Sequence, residues 1–168
     1  MIATLGTESE IRLSDVADGL AEARRLGNKP LVRKILLSAR GLQPRSIDDE
    51  LTLGFVYLEL GDLCVALDWF THVAKMRAGL SMAHSGRALT LQLLGQPVEA
   101  LAAVQAALAL DPRDIVALKV LVRINLDMNL PAQANAICLR ILTINPGDPD
   151  ATALLKQAAI HRSRPPAA

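Results

Sequence analysis

Three histidines, two cysteines and one acidic run are the residues of this chain with the best claim to chemistry. The histidines are His72, His84 and His161. Imidazole can serve as a general acid or base near neutral pH, or as a metal ligand. Both tasks need partners: a carboxylate or nucleophile within reach, or further ligands at metal-binding spacing. No motif joins any of the three to such a group. Cys64 and Cys138 lie 74 residues apart, and neither has a second Cys or a His at ligand spacing. They read as two buried free thiols. The run Asp48-Asp49-Glu50 follows Ser46, an arrangement that caps a helix and complements its dipole. There is no Gly-rich phosphate loop, no G-x-S-x-G and no paired-carboxylate pattern. The expectation is a protein that is not an enzyme and that uses no cofactor and no metal.

The totals narrow the class further. The chain has 168 residues, which suits one domain. Net charge is +1, so nothing general favours a nucleic-acid partner. No uninterrupted apolar run approaches the ~18 residues that span a bilayer, and the first ten residues do not resemble a secretory signal or a transit peptide. Membrane insertion is therefore not expected, and the cytoplasm is the expected compartment. Aromatic residues make up 2%: Phe55, Tyr57, Trp69 and Phe70, all within one short stretch. A core built from Leu, Ile, Val, Met and Ala suits closely packed helices better than a sandwich of sheets.

The elements that position these residues are visible as a repeat. Leu26-Gly27-Asn28, Leu60-Gly61-Asp62, Leu94-Gly95-Gln96 and Met128-Asn129-Leu130 recur at steps of 34 residues. Asn is the best substitute for Gly where a left-handed residue ends a helix. Pro44, Pro112 and Pro146 share a second register, broken at Ala78. Three more columns are Val32, Ala66, Ala100, Ala134; Leu20, Gly54, Ala88, Val122; and Ala39, Val73, Ala107, Ile141. Small side chains at one place per unit predict a close approach of two helices.

Each unit reads as two helices, in the third from Ser81 to Leu94 and from Pro97 to Leu110. Pro97 and Pro131 fall in a first helical turn, where the missing N–H costs little. Leu101, Val104 and Leu108 form an apolar stripe. Asp111-Pro112 ends the helix, and Asp114 caps the next. The units span 13–46, 47–80, 81–114 and 115–148. A ninth helix covers 149–162, with Ala151, Leu154, Leu155 and Ala158 on one side and Lys156, Gln157, His161 and Arg162 elsewhere. Thr7-Glu8-Ser9-Glu10 resembles a capping box, so the first helix is expected from about Ser9 to Leu26. One domain over 1–162 and a disordered tail or linker over 163–168 complete the division.

A period of 34 with helix–turn–helix units resembles the tetratricopeptide repeat family. The residues that carry the resemblance are Leu53-Gly54, Tyr57, Gly61-Asp62, Ala66 and Phe70 in the second unit. In the third they are Ala88, Gly95, Ala100, Ala107 and Asp111-Pro112, and in the fourth Ala134 and Asn145-Pro146. The first unit matches only at Gly27 and Pro44. The usual Trp early in each repeat is missing, and the proline absent at Ala78 predicts a less regular joint between the second and third units. The resemblance implies an all-α fold, a right-handed α-solenoid of antiparallel helix pairs. It also implies that the first helix of each pair lines a concave face that binds peptides or helices of other proteins.

Transferred to this chain, that face would show Leu51, Phe55 and Leu58 in the second unit, Met82, Leu89 and Leu93 in the third, and Lys119 and Arg123 in the fourth. Some members clamp a C-terminal carboxylate with Lys, Asn and Arg. The matching positions here are Ala17, Ala21, Thr52, Met82 and Gly86, which disfavours such a clamp. The implied ligand is an extended segment or amphipathic helix with apolar anchors and an acidic flank. The competing reading packs the same side chains on neighbouring helices.

Residues 13–46 hold seven basic and three acidic groups, and 47–80 hold two basic and six acidic. This asymmetry fits stacking of adjacent units, head-to-tail self-association, or solvated outer faces. Two functions follow. One is a free-standing interaction module: an adaptor, assembly factor or secretion-type chaperone of a bacterial cytoplasm. The other is a non-catalytic, substrate-positioning front module of a larger enzyme such as a bacterial glycosyltransferase or methyltransferase. The length of the native reading frame discriminates between them.

Overall fold

The computed structural model describes residues 13–162, apart from the side chains of Ser14, His161 and Arg162. The capping box at Thr7–Glu10, a helix start at Ser9 and the tail 163–168 lie outside the described residues. Among the described residues every regular element is an α-helix. They are α1 (Leu13–Arg25), α2 (Lys29–Ala39), α3 (Ile47–Leu60), α4 (Leu63–Met76), α5 (Ser81–Leu93), α6 (Pro97–Leu110), α7 (Ile115–Asp127), α8 (Pro131–Ile144) and α9 (Pro149–Arg162). Each odd-numbered helix up to α7 packs along the next one, and α9 closes on α8, giving an all-α solenoid of helix pairs.

The tight turns explain the Leu-Gly register. Gly27, Gly61 and Gly95 have φ of 64°, 85° and 74°, and Asn129 has φ 56°. One hydrogen bond recurs at all four turns: the N–H of Asn28, Asp62, Gln96 and Leu130 donates five residues back to Ala23, Tyr57, Leu91 and Asn125, at 2.8–2.9 Å. This is the Schellman closure, which satisfies a helix's last carbonyls and requires a left-handed residue just before the donor. Asn at position 129 is the substitution that geometry tolerates.

Starts of helices are set by side chains. Ser46, Asp114 and Asp148 share one register, and each accepts a hydrogen bond from an N–H three residues on: Asp49 (3.1 Å), Ala117 (3.0 Å) and Ala151 (2.8 Å). The carboxylate of Asp49 in turn accepts from the Arg45 N–H at 2.9 Å. Asp48 pairs with Arg77 at 2.6 Å, and Glu50 lies 3.4 Å from His72. The acidic run is thus consumed by capping and local pairing.

The small-residue columns form the core. Ala66, Ala100 and Ala134 are fully buried, as are Ala39, Val73, Ala107 and Ile141. In the second pair the core is organised by Phe70 of α4. An added Cβ on Gly54 of α3 would meet its ring at 2.8 Å, and one on Gly86 of α5 at 2.5 Å. Two helix backbones therefore press on the two sides of one buried ring, which only glycine permits. Phe55 meets the same ring edge-on, with centroids 4.9 Å apart and planes at 72°, a favoured aromatic geometry.

Two expectations are corrected. Cys138 is buried, but Cys64, in the first turn of α4, is exposed. The joint at Ala78 keeps the four-residue connection seen at 111–114, although Leu80 supplies no side-chain cap to α5. The sparser joint lies one pair earlier, between α2 and α3. There α2 has 11 residues where α4 has 14, and Val32 stands in the register of the buried alanines and is only partly buried. Polar bridges link the first pair of helices to the second: Arg24 of α1 to Glu59, Arg40 to Asp62 at 3.3 Å, and the Tyr57 hydroxyl donating to the Arg40 carbonyl at 3.1 Å. The charge difference between 13–46 and 47–80 is spent partly here.

Candidate functional site

Helices α1, α3, α5, α7 and α9 follow one another in contact along one side of the solenoid. The residues expected on this face divide into two groups. Leu51 is buried within the core around Phe70. Phe55 and Leu58 are partly buried against that cluster, and Leu89 against the core of the next pair. These four owe much of their environment to neighbouring helices. Met82 and Leu93, at the two ends of α5, are 50% and 49% exposed. Two apolar side chains so open on one helix are not needed by the core.

The basic end differs from expectation. Lys119 does not project as a free cation: its Nζ lies 2.9 Å from both Asp148 and Asp150 at the start of α9. Burial pulls the Lys119 amine down, but the hydrogen bonds it donates to the two aspartates, with their charge, outweigh this, and the amine sits above its ordinary value. Burial likewise pushes the Asp148 carboxyl up, and the hydrogen bonds it accepts from Lys119 and from the Ala151 N–H more than reverse this, leaving it below its ordinary value. Lys119 is therefore a tether for the last helix. Asp148 shares the cap register of Asp114, but nothing in the sequence paired it with Lys119. Arg123, one turn further along α7, is half-buried and has no ion pair among the described residues.

Two polar features belong to the same face. The Oε1 of Gln92, between Leu89 and Leu93, is buried with no hydrogen-bond partner among the described residues. Near the N-terminal ends of α5 and α7, a cavity of about 420 Å³ is lined by Met82, Ser81, Arg113 and Val116 among others. The Ser81 hydroxyl donates to Asp114 across its wall. Ser85 and Gly86 of α5 are buried.

Among the described residues no group of three His, Cys, Asp or Glu is placed to hold a metal. His84 lies 3.0 Å from the Ala78 carbonyl, at a turn, and His72 is exposed beside Glu50. No described helix is long and apolar enough to cross a membrane.

Comparison with known proteins agrees with this architecture. Residues 91–161 match a family model described as tetratricopeptide repeat. No curated protein matches the chain. Among solved structures, the thermophilic tetratricopeptide protein TTC0263 of Thermus thermophilus is similar, with a TM-score of 0.68 and 21% identity. The match covers 91% of this chain and 84% of that one. The first tetratricopeptide domain of Spaghetti (RPAP3), bound to an HSP90 peptide, gives 0.65 and 17% identity over 73% of this chain and 98% of that one. The TPR2B domain of yeast Sti1, in complex with an Hsp70 peptide, gives 0.62 and 20% identity over 69% and 98%. The family model is thus matched over residues 91–161, and the described helix pairs share the fold of these tetratricopeptide repeat structures.

Proposed function

We propose that this protein is a non-catalytic interaction module, an adaptor or assembly factor, that takes a peptide or helix of a partner protein along the face of α3, α5 and α7. The observation that carries the reading is the pair Met82 and Leu93, half-exposed apolar side chains at both ends of one helix. Exposed apolar surface in one tract, outside the needs of the core, is a mark of a partner site. Between them Leu89 supplies a partly buried shoulder. Arg123 stands beyond, ready for an acidic flank.

Two of the similar structures hold chaperone-derived peptides. The ligand here differs in kind, because Ala17, Ala21, Thr52, Met82 and Gly86 stand where a carboxylate clamp would need cations and amides. Apolar anchors, not a terminal carboxylate, would set its affinity. Binding is tested by co-purification from the source organism with Met82→Glu plus Leu93→Glu. Both residues lie outside the core, so the variant keeps its fold while the groove loses its apolar ends. Loss of a partner that the parent captures is the expected result; an unchanged set of captured proteins refutes the reading. Phe55→Ala is the poorer probe, since it also strips an edge contact from Phe70.

A further inference from the structure

The sparse joint between α2 and α3 leaves an open crevice of about 570 Å³, a size typical of ligand sites. Its apolar lining comes from Ala23 of α1, Val32 and Leu36 of α2, and Leu60 of α3. Its polar lining is dominated by cations. Lys29 and Arg33 stand on successive turns of α2 and have no ion pair among the described residues. Arg24 is bridged to Glu59. Val32, which lines it, stands in the register of Ala66, Ala100 and Ala134, all fully buried in the later pairs.

We infer that this crevice is a second docking site, for an acidic peptide segment carrying an aliphatic anchor. Charge complementarity selects the occupant: two unpaired cations and one that can exchange partner surround an aliphatic floor. The three potential cations face one acid, Glu59, so the site holds excess positive charge. An anionic segment gains most where its carboxylates meet charges already held near a low-dielectric surface. The floor calls for a leucine- or isoleucine-sized group rather than a base, because none of the lining residues is aromatic. The site is separate from Met82 and Leu93 and does not depend on the groove reading.

The test uses fluorescence anisotropy with a labelled ten-residue peptide of Asp and Glu carrying two leucines. Two controls replace its leucines by serine or its acids by their amides. The site predicts saturable binding to the intact protein, weakened about tenfold or more in either control. Lys29→Glu plus Arg33→Glu, at exposed positions that leave folding intact, should weaken binding by a similar factor. Glu59→Gln, which frees Arg24, should tighten it. Met82→Glu plus Leu93→Glu should leave it unchanged. Four results overturn the inference: no saturable binding, equal binding of the serine control, loss of binding through the groove variant, or tighter binding of a twelve-residue oligouridine.

Discussion

Gly86→Ala should destabilise this protein, although the same change at an ordinary helical position would stabilise it. Alanine in place of glycine within a helix gains about 1 kcal/mol. Here the new methyl would sit 2.5 Å from Cε1 and 2.7 Å from Cδ1 and Cζ of Phe70, far inside van der Waals contact. The ring cannot retreat, because Gly54 presses on it from α3 and Phe55 meets it edge-on. Overpacking a core without room to yield costs about 3 kcal/mol at the upper end of its range. The net loss is about 2 kcal/mol. For a chain of this size that lowers Tm by about 4–8 °C. Gly54→Ala, with a closest approach of 2.8 Å, should lose less. Phe70→Leu removes the obstacle, so Gly86→Ala made in that background should raise Tm by a few degrees. Urea and thermal melts followed by circular dichroism at 222 nm on the four proteins complete a double-mutant cycle. If Gly86→Ala stabilises the parent as it does the Phe70→Leu variant, the ring is not held between α3 and α5, and the reasoning from its packing is refuted.

The remaining predictions concern the turns, the tether and the thiols. Gly95→Ala forces a Cβ into φ 74° and should cost about 1–2 kcal/mol, whereas Asn129→Gly should be neutral or stabilising; thermal melts distinguish them. Lys119→Met leaves the Asp148 carboxylate buried without its cation and should lower stability by about 1–3 kcal/mol. Because Asp148 titrates below its ordinary value, its contribution is present above about pH 3.9 and is lost as pH falls through the lowered folded value. Acid titrations of stability should accordingly be flatter in Lys119→Met than in the parent. Ellman's reagent should modify Cys64 in the folded protein and Cys138 only on unfolding. Burial pushes the Cys138 thiol up, so stability should decline above about pH 8.5, where the unfolded chain ionises first. Cys138→Ala should remove that alkaline slope.

Backbone-dictated features were legible in the sequence. Gly27, Gly61, Gly95 and Asn129 announced four left-handed turns because few residues tolerate that conformation, and the alanine columns announced close helix contacts because larger groups do not fit. Pairings between distant units were not legible. A register shows that Lys119 lies on the first helix of a pair; it does not show that Asp148 and Asp150 converge on its amine. Helical register also could not divide the concave face into core and surface. Leu51 and Met82 were both expected on this face, yet one closes on Phe70 and the other stays open. The proline missing at Ala78 pointed to a less regular joint there, whereas the sparser joint lies one pair earlier, between α2 and α3.

The most direct test of the groove is site-specific photo-crosslinking in cells of the source organism. Benzoylphenylalanine placed at Met82 or Leu93 probes the proposed face. The same group at Val98 or Ile160, which are 77% and 70% exposed on α6 and α9, probes apolar exposure alone. A groove on α5 predicts one shared crosslinked partner from positions 82 and 93 and its absence from 98 and 160. The same products from all four positions, or a partner captured only at 98 or 160, would contradict it.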